Sequence, residues 1–156
     1  MPIKSFRGKI ADEGTDRILL HTNNGSIGYR IVKFEVMTAD AVGSIESANL
    51  VSIYKVEPTL AKINLGKADF ADNTLLAAAD YRQHDNEAYG LSANSIIFDN
   101  EVFNQDIYVT NKDLRTGASM NYYIELEQIK LDLNENTVAT LKDIRNIDQQ
   151  FDTTIN

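Results

Sequence analysis

The chain has 156 residues, 43% of them hydrophobic, with 15 basic against 23 acidic side chains for a formal net charge of −8. A domain of this size buries a core without covalent staples, and the absence of cysteine excludes disulfides, thiolate zinc sites and cysteine nucleophiles together. The negative field repels nucleic acid unless a basic patch outweighs it, and the lysines and arginines are spread singly, so no nucleic-acid partner is expected.

No apolar run approaches the roughly 18 residues of a membrane span. The opening MPIKSFRGKIADEG lacks the apolar centre of a signal peptide. The expectation is therefore a chain that folds where it is made, with no membrane partner.

Lys4 to Ile10 reads as a first edge strand whose charges discourage edge-to-edge pairing. Asp12-Glu13-Gly14 reads as a turn. Arg17 to Thr22 and Ile27 to Met37 flank Asn23-Asn24-Gly25, and Asn-Gly is a strong hairpin signal because both residues tolerate positive φ. A hairpin is expected here, with Val32, Phe34 and Val36 on one face and Lys33 and Glu35 on the other. Thr38 to Ala48 is small and polar, a loop; Leu50 to Val56 is the next strand, closed by Pro58.

Thr59 to Asp69 is weakly patterned, with Ile63 and Leu65 as a short edge piece. The run LLAAADY after Asp72-Asn73-Thr74 carries conflicting signals. Asn73 or Thr74 suits a helix N-cap and the alanines favour helix, but about two turns cannot hold themselves. Strand is the expectation, because its neighbours are strands. Arg82 to Ser92 is a polar surface loop. Ser95 to Phe98 and Asp106 to Thr110 are further strands, with Asp99, Asn100, Asn104 and Gln105 supplying turns between them. Asn111 to Ser119 is a turn-rich connection.

Asn121 to Leu133 is the longest single strand. Tyr122, Ile124 and Leu126 alternate with Tyr123, Glu125 and Glu127, and then the phase changes to Ile129, Leu131 and Leu133. Either a bulge near Glu127-Gln128 or a strand that leaves one sheet for another explains the change. Seven or eight short strands with intervening turns predict an all-β fold, an antiparallel, jelly-roll-like β-sandwich over residues 1–133. Residues 134–156 form a C-terminal amphipathic segment and tail. There Val138, Leu141 and Ile144 lie three apart on a short helix or arm, with Asn134 or Asn136 as its cap. That stripe covers the sandwich's own open end or docks on another subunit, and Phe151 adds a further apolar point of contact.

Catalytic equipment is sparse. The two histidines, His21 and His84, stand apart, and no G-x-S-x-G is present. Glu125 and Glu127 share a strand face, the minimum for glycoside hydrolysis, but a solvated sheet face carries glutamates routinely and no tryptophan flanks them. His84-Asp85-Asn86-Glu87 and Asp99-Asn100-Glu101 hold oxygen ligands without calcium-loop spacing. Phosphate-binding glycine loops are missing. The chain thus offers no catalytic, cofactor-binding or metal residues to nominate, and no cofactor is expected.

The segments FDNEVFNQDIYVT, NYYIELEQIKLDL and ENTVATLKDIRN, with MPIKSFRGKIADEG and NNGSIGYRIVKFEV, resemble small β-sandwich virion structural proteins of marine tailed bacteriophages. The resemblance runs through most of the chain except the loops Ala39 to Ala48 and Thr59 to Ala68. It implies a capsid-decorating or other minor structural protein, not an enzyme, assembled in the host cytoplasm and located on the virion. Its expected partners are copies of itself, a trimer suiting local threefold positions, and the major capsid or another virion protein. The contact would run through Val138, Leu141, Ile144 and Phe151. The alternative is a carbohydrate- or receptor-binding module of a head fibre or tail, for which Tyr54, Tyr81, Tyr89 and Tyr123 are the candidate aromatics. A hydrolase using Glu125 and Glu127 ranks last.

Overall fold

A computed structural model describes residues 2–20, 25–41, 43–84 and 93–131. Strands form where branched and aromatic residues alternate. In chain order these are β1 (Ile3–Ile10), β2 (Thr15–Ile18), β3 (Ile27–Thr38), β4 (Ser47–Tyr54), β5 (Leu75–Gln83), β6 (Ala93–Phe98), β7 (Ile107–Asp113) and β8 (Met120–Lys130). Among the described residues one short helix, α1 (Leu60–Asn64), interrupts them. Two antiparallel sheets result: a three-stranded one ordered β1-β8-β3 and a five-stranded one ordered β2-β7-β4-β5-β6.

The pairing is nested. β1 pairs with β8, β2 with β7 and β4 with β5. Just past β6, Phe103 exchanges backbone hydrogen bonds of 2.7 and 2.9 Å with Tyr29 of β3. First-with-last, second-with-seventh and so inward is the order of a ribbon folded back and wrapped into a jelly roll. The expected all-β sandwich is what the chain forms.

Between the sheets lies one apolar core, because each strand turns at least one apolar side chain toward the other layer. β8 supplies Met120, Tyr122, Ile124 and Leu126; β3 supplies Tyr29, Ile31, Phe34 and Val36. From the opposite sheet come Val51 and Ile53 of β4, Ala77 and Ala79 of β5, and Ile107 and Val109 of β7. The stretch with conflicting signals, LLAAADY, is strand β5, as its neighbours suggested. Neither Asn73 nor Thr74 caps a helix there; the Asp72 side chain accepts from the Thr74 N–H and hydroxyl, making a turn into the strand.

Three expectations are corrected. Arg17 to Thr22 and Ile27 to Met37 do not form a hairpin, because β2 pairs with β7 in one sheet and β3 with β8 in the other. The two strands belong to different sheets, so the Asn-Gly signal did not specify which strands pair. Residues 21–24 lie outside the described ones.

The irregularity placed near Glu127-Gln128 sits instead on the partner strand. β8 pairs without interruption along β1, whereas β3 shifts register between Ile31 and Lys33. Val32 is the extra residue: 37% exposed, it is not in line with Phe34 and Val36, and Ile31 takes the core position instead. The apolar phase change at the end of β8 has a different cause. Leu131 is buried against Gly28, where an added Cβ would come within 2.9 Å of Val102 Cγ1 and 3.2 Å of Leu131 Cδ1.

Lastly, Ile63 and Leu65 are not an edge strand. Thr59 accepts from the Lys62 N–H, caps α1, and Ile63 is the helix's buried residue. Residues 132–156, including Val138, Leu141, Ile144 and Phe151, lie outside the described residues.

Candidate functional site

The three-stranded sheet turns a polar face outward. Register sets its rows: Arg7, Tyr123 and Glu35 in one, Lys9, Asn121 and Met37 in the next, Ser5, Glu125 and Lys33 beyond, then Ile3, Glu127 and Arg30. Glu125 and Glu127 therefore do share a face, and both are engaged with neighbours. Arg30 donates to Glu127 at 2.6 Å, and the Tyr123 hydroxyl donates to Glu125 at 3.0 Å. The Lys33 ammonium sits 5.8 Å from the Tyr123 ring centre. A shallow groove of about 570 Å³ opens here, lined by Arg7, Glu35, Met37, Asn121 and Tyr123.

The aromatic cluster sought for a glycan platform does not assemble among the described residues. Tyr54 and Tyr81 are buried, and Tyr89 lies outside the described residues. Only Tyr123 is partly exposed on this face. Burial raises the Tyr54 phenol, and Lys62 packs over its ring at 4.7 Å.

His84 is exposed beside Glu46, its Nδ1 3.7 Å from a carboxylate oxygen. No group of three or more histidine and acidic side chains able to hold a metal occurs among the described residues. Asp99 and Glu101 have structural partners: Asp99 accepts from the Glu101 N–H at 3.0 Å, and Glu101 pairs with Lys55 at 3.0 Å.

One end of the interior is polar. Asn111, fully buried, donates through its amide to the carbonyls of Ile10 and Ala118 at 3.1 Å each and accepts from Asn49 at 3.0 Å. Asp113 is the hub of the loop that follows β7. Its carboxylate accepts from the N–H groups of Ala118 at 2.7 Å, Ala48 at 2.9 Å, Arg115 at 3.0 Å and Thr116 at 3.2 Å. Burial pushes this carboxyl up, but the four backbone donors outweigh burial and hold it below the usual carboxylate range. Asp72 behaves alike: burial opposes, and Lys62 and Thr74 bring it down. The sequence showed NKDLRTGAS only as a turn-rich stretch; Asp followed by Thr and Gly at the third and fourth positions was the available signal for a side-chain-organised loop.

The surface that sequence reasoning missed is the open edge of the five-stranded sheet. β6 is its last strand, and Ile97 is 56% and Phe98 39% exposed, beside Phe70 at 67%. A hollow between Phe70, Leu75, Ile97 and Phe98 adds depth to this apolar strip. Large exposed apolar groups clustered at a strand edge are what an association surface presents.

No protein-family model matches the chain, and no curated protein or solved structure shows significant similarity to it.

Proposed function

We propose that this protein is a structural component of a tailed-phage particle, without enzymatic activity, that decorates the outer capsid surface as a homo-oligomer. The observation that carries the proposal is the exposed apolar edge at β6, where Ile97, Phe98 and Phe70 are presented together around one hollow. Such an edge favours a role met by contact with other protein chains. The jelly-roll pairing is compatible with it, though a fold of this kind hosts many functions. The segment resemblance supplies the particle. Its partners are then copies of itself and a capsid or other virion protein, with Val138, Leu141, Ile144 and Phe151 as a further contact.

Immunogold electron microscopy of purified particles tests the proposal. Label repeating over the head supports it. Particles without label, or glycan hydrolysis by the purified chain, would overturn it.

A further inference from the structure

We propose that β6 pairs antiparallel with β6 of a second copy, joining the two five-stranded sheets across a twofold axis. The inference rests on the assembly role above and names the contact.

Among the described residues the two sheets present four edge strands, and three of them are defended. β1 carries Lys4, Arg7 and Lys9. β3 carries Arg30, Lys33 and Glu35, has its bulge at Val32, and is bridged by Phe103. β2 is only 4 residues long and includes Asp16 and Arg17. Charges, bulges and shortness are the devices that stop strand edges from pairing. β6, ANSIIF, has 6 residues with no charge, no proline and no register shift against β5.

Its backbone is also aimed suitably. The Asp99 N–H donates to the Leu76 carbonyl of β5 at 2.8 Å, and the Ser95 N–H, on the same side, donates to the side-chain carboxylate of Asp80 on β5 at 2.9 Å. Because N–H and C=O groups alternate in direction along a strand, Asn94, Ile96 and Phe98 turn theirs away from β5. A twofold axis at Ile96 sets Ile96 against its own copy and Asn94 against Phe98. Every outward N–H and C=O of the three residues then meets a partner. On the other face, Ser95 stands opposite Ile97 of the second copy, next to Phe70.

Charge favours the same occupant. Two copies of net charge −8 repel at most surfaces, but this strand contributes no charge to the contact. An isologous contact of this kind closes as a dimer. The threefold assembly expected from the sequence would require an additional contact elsewhere.

Sedimentation equilibrium on the full chain at about 1–100 μM tests the pairing, with far-UV circular dichroism confirming the fold of each variant. The wild type is expected to be dimeric. Changing Ser95→Lys and Ile97→Lys together sets the new lysines against each other across the axis and should weaken the dimer at least ~100-fold, since like-charge juxtaposition costs several kcal/mol. Changing Ser95→Glu and Ile97→Lys together faces opposite charges in the same register and should restore binding to within ~10-fold of wild type. A wild type that is monomeric throughout, or a double-lysine variant that is folded and still dimeric, overturns the contact. So does failure of the Glu/Lys pair to recover the dimer. Gold labelling reads the other question separately: dimers with unlabelled particles sink the phage role alone, and labelled particles with an undisturbed double-lysine dimer sink this contact alone.

Discussion

The polar end of the interior and the polar outer face of the three-stranded sheet are built from the same residue types, asparagine, acid and tyrosine, yet they differ in what those residues touch. Inside, Asp113 and Asn111 hold backbone groups of residues far apart in sequence, from Ile10 and Ala48 to Ala118. Outside, Glu125, Glu127 and Tyr123 meet other side chains that water also reaches. Losing the first kind of contact leaves backbone donors stranded. Losing the second leaves groups that solvent takes over. A polar residue's weight in this fold therefore follows from its partner's alternatives, not from its own charge.

The largest effect should come from Asp113→Ala. Arg115 and Thr116 are exposed enough to donate to water, but Ala118 is buried and Ala48 is part of β4. Each buried donor left unpaired costs about 1–3 kcal/mol, so a loss of roughly 2–5 kcal/mol is expected. For a domain of this size that lowers Tm by about 10 °C. A melt within ~2 °C of wild type would erase the distinction between the two regions.

Acid offers a second, smaller test. Asp113 and Asp72 are both depressed in the folded chain. Between the folded and unfolded values the unfolded chain binds more protons, so their stabilisation is fully present above about pH 4 and is lost as pH falls through the folded values. Urea midpoints should be flat from about pH 7 to 5 and drop below about pH 4, by less in Asp113→Asn than in wild type. Equal acid sensitivity in both would show that other carboxylates set the response.

How far the sequence revealed these regions depends on the physics of each signal. Strand positions were readable because period-2 alternation is local, as in Tyr122, Ile124 and Leu126. Pairing was not, since Asn24-Gly25 reports turn chemistry while the burial of β2 and β3 in separate layers is decided by strands distant in sequence. Val32 misled for the same reason: a bulge exists only relative to the partner strand. Glu125 and Glu127 were correctly placed together from spacing alone. The importance of Asp113 was hidden because its main donors, Ala48 and Ala118, carry no polar side chain to advertise the contact. The β6 edge was hidden because an uncharged SIIF reads equally well as a central strand.

Tyr122 lies between the two regions in character. Its ring is core, while its hydroxyl donates to Asp16 at 3.1 Å, and Gly8 leaves the room: a Cβ there would lie 2.9 Å from that oxygen. Burial raises the phenol, with the Asp16 carboxylate adding to it. Its share of stability is present below the unfolded tyrosine value of about 10 and is lost as pH rises above it. Tyr122→Phe should cost about 1 kcal/mol at pH 7, because Asp16 is partly exposed and can turn to water. Alkaline lability that persists undiminished in this variant would move the titration to another group.

The smallest effect should belong to Glu125→Gln with Glu127→Gln. Glutamine keeps the length of each side chain and still accepts from Tyr123 and Arg30, so only the charged part of two outer-face contacts is removed. Arg30 and Glu127 are both partly exposed, and exposed ion pairs contribute about 0–1 kcal/mol. The Lys33 and Arg30 that lose their acidic neighbours remain accessible to water. The double variant should therefore melt within about 1 kcal/mol of wild type, and the small difference should shrink as salt is raised, since screening already weakens the pair. Asp113→Ala, measured beside it, should show no such salt dependence, because its cost is stranded backbone rather than lost charge attraction. A loss of several kcal/mol in the glutamine variant would mean that the outer face holds the fold as firmly as the polar interior does. Glycan hydrolysis that vanished with the two carboxylates would instead give that face a catalytic role.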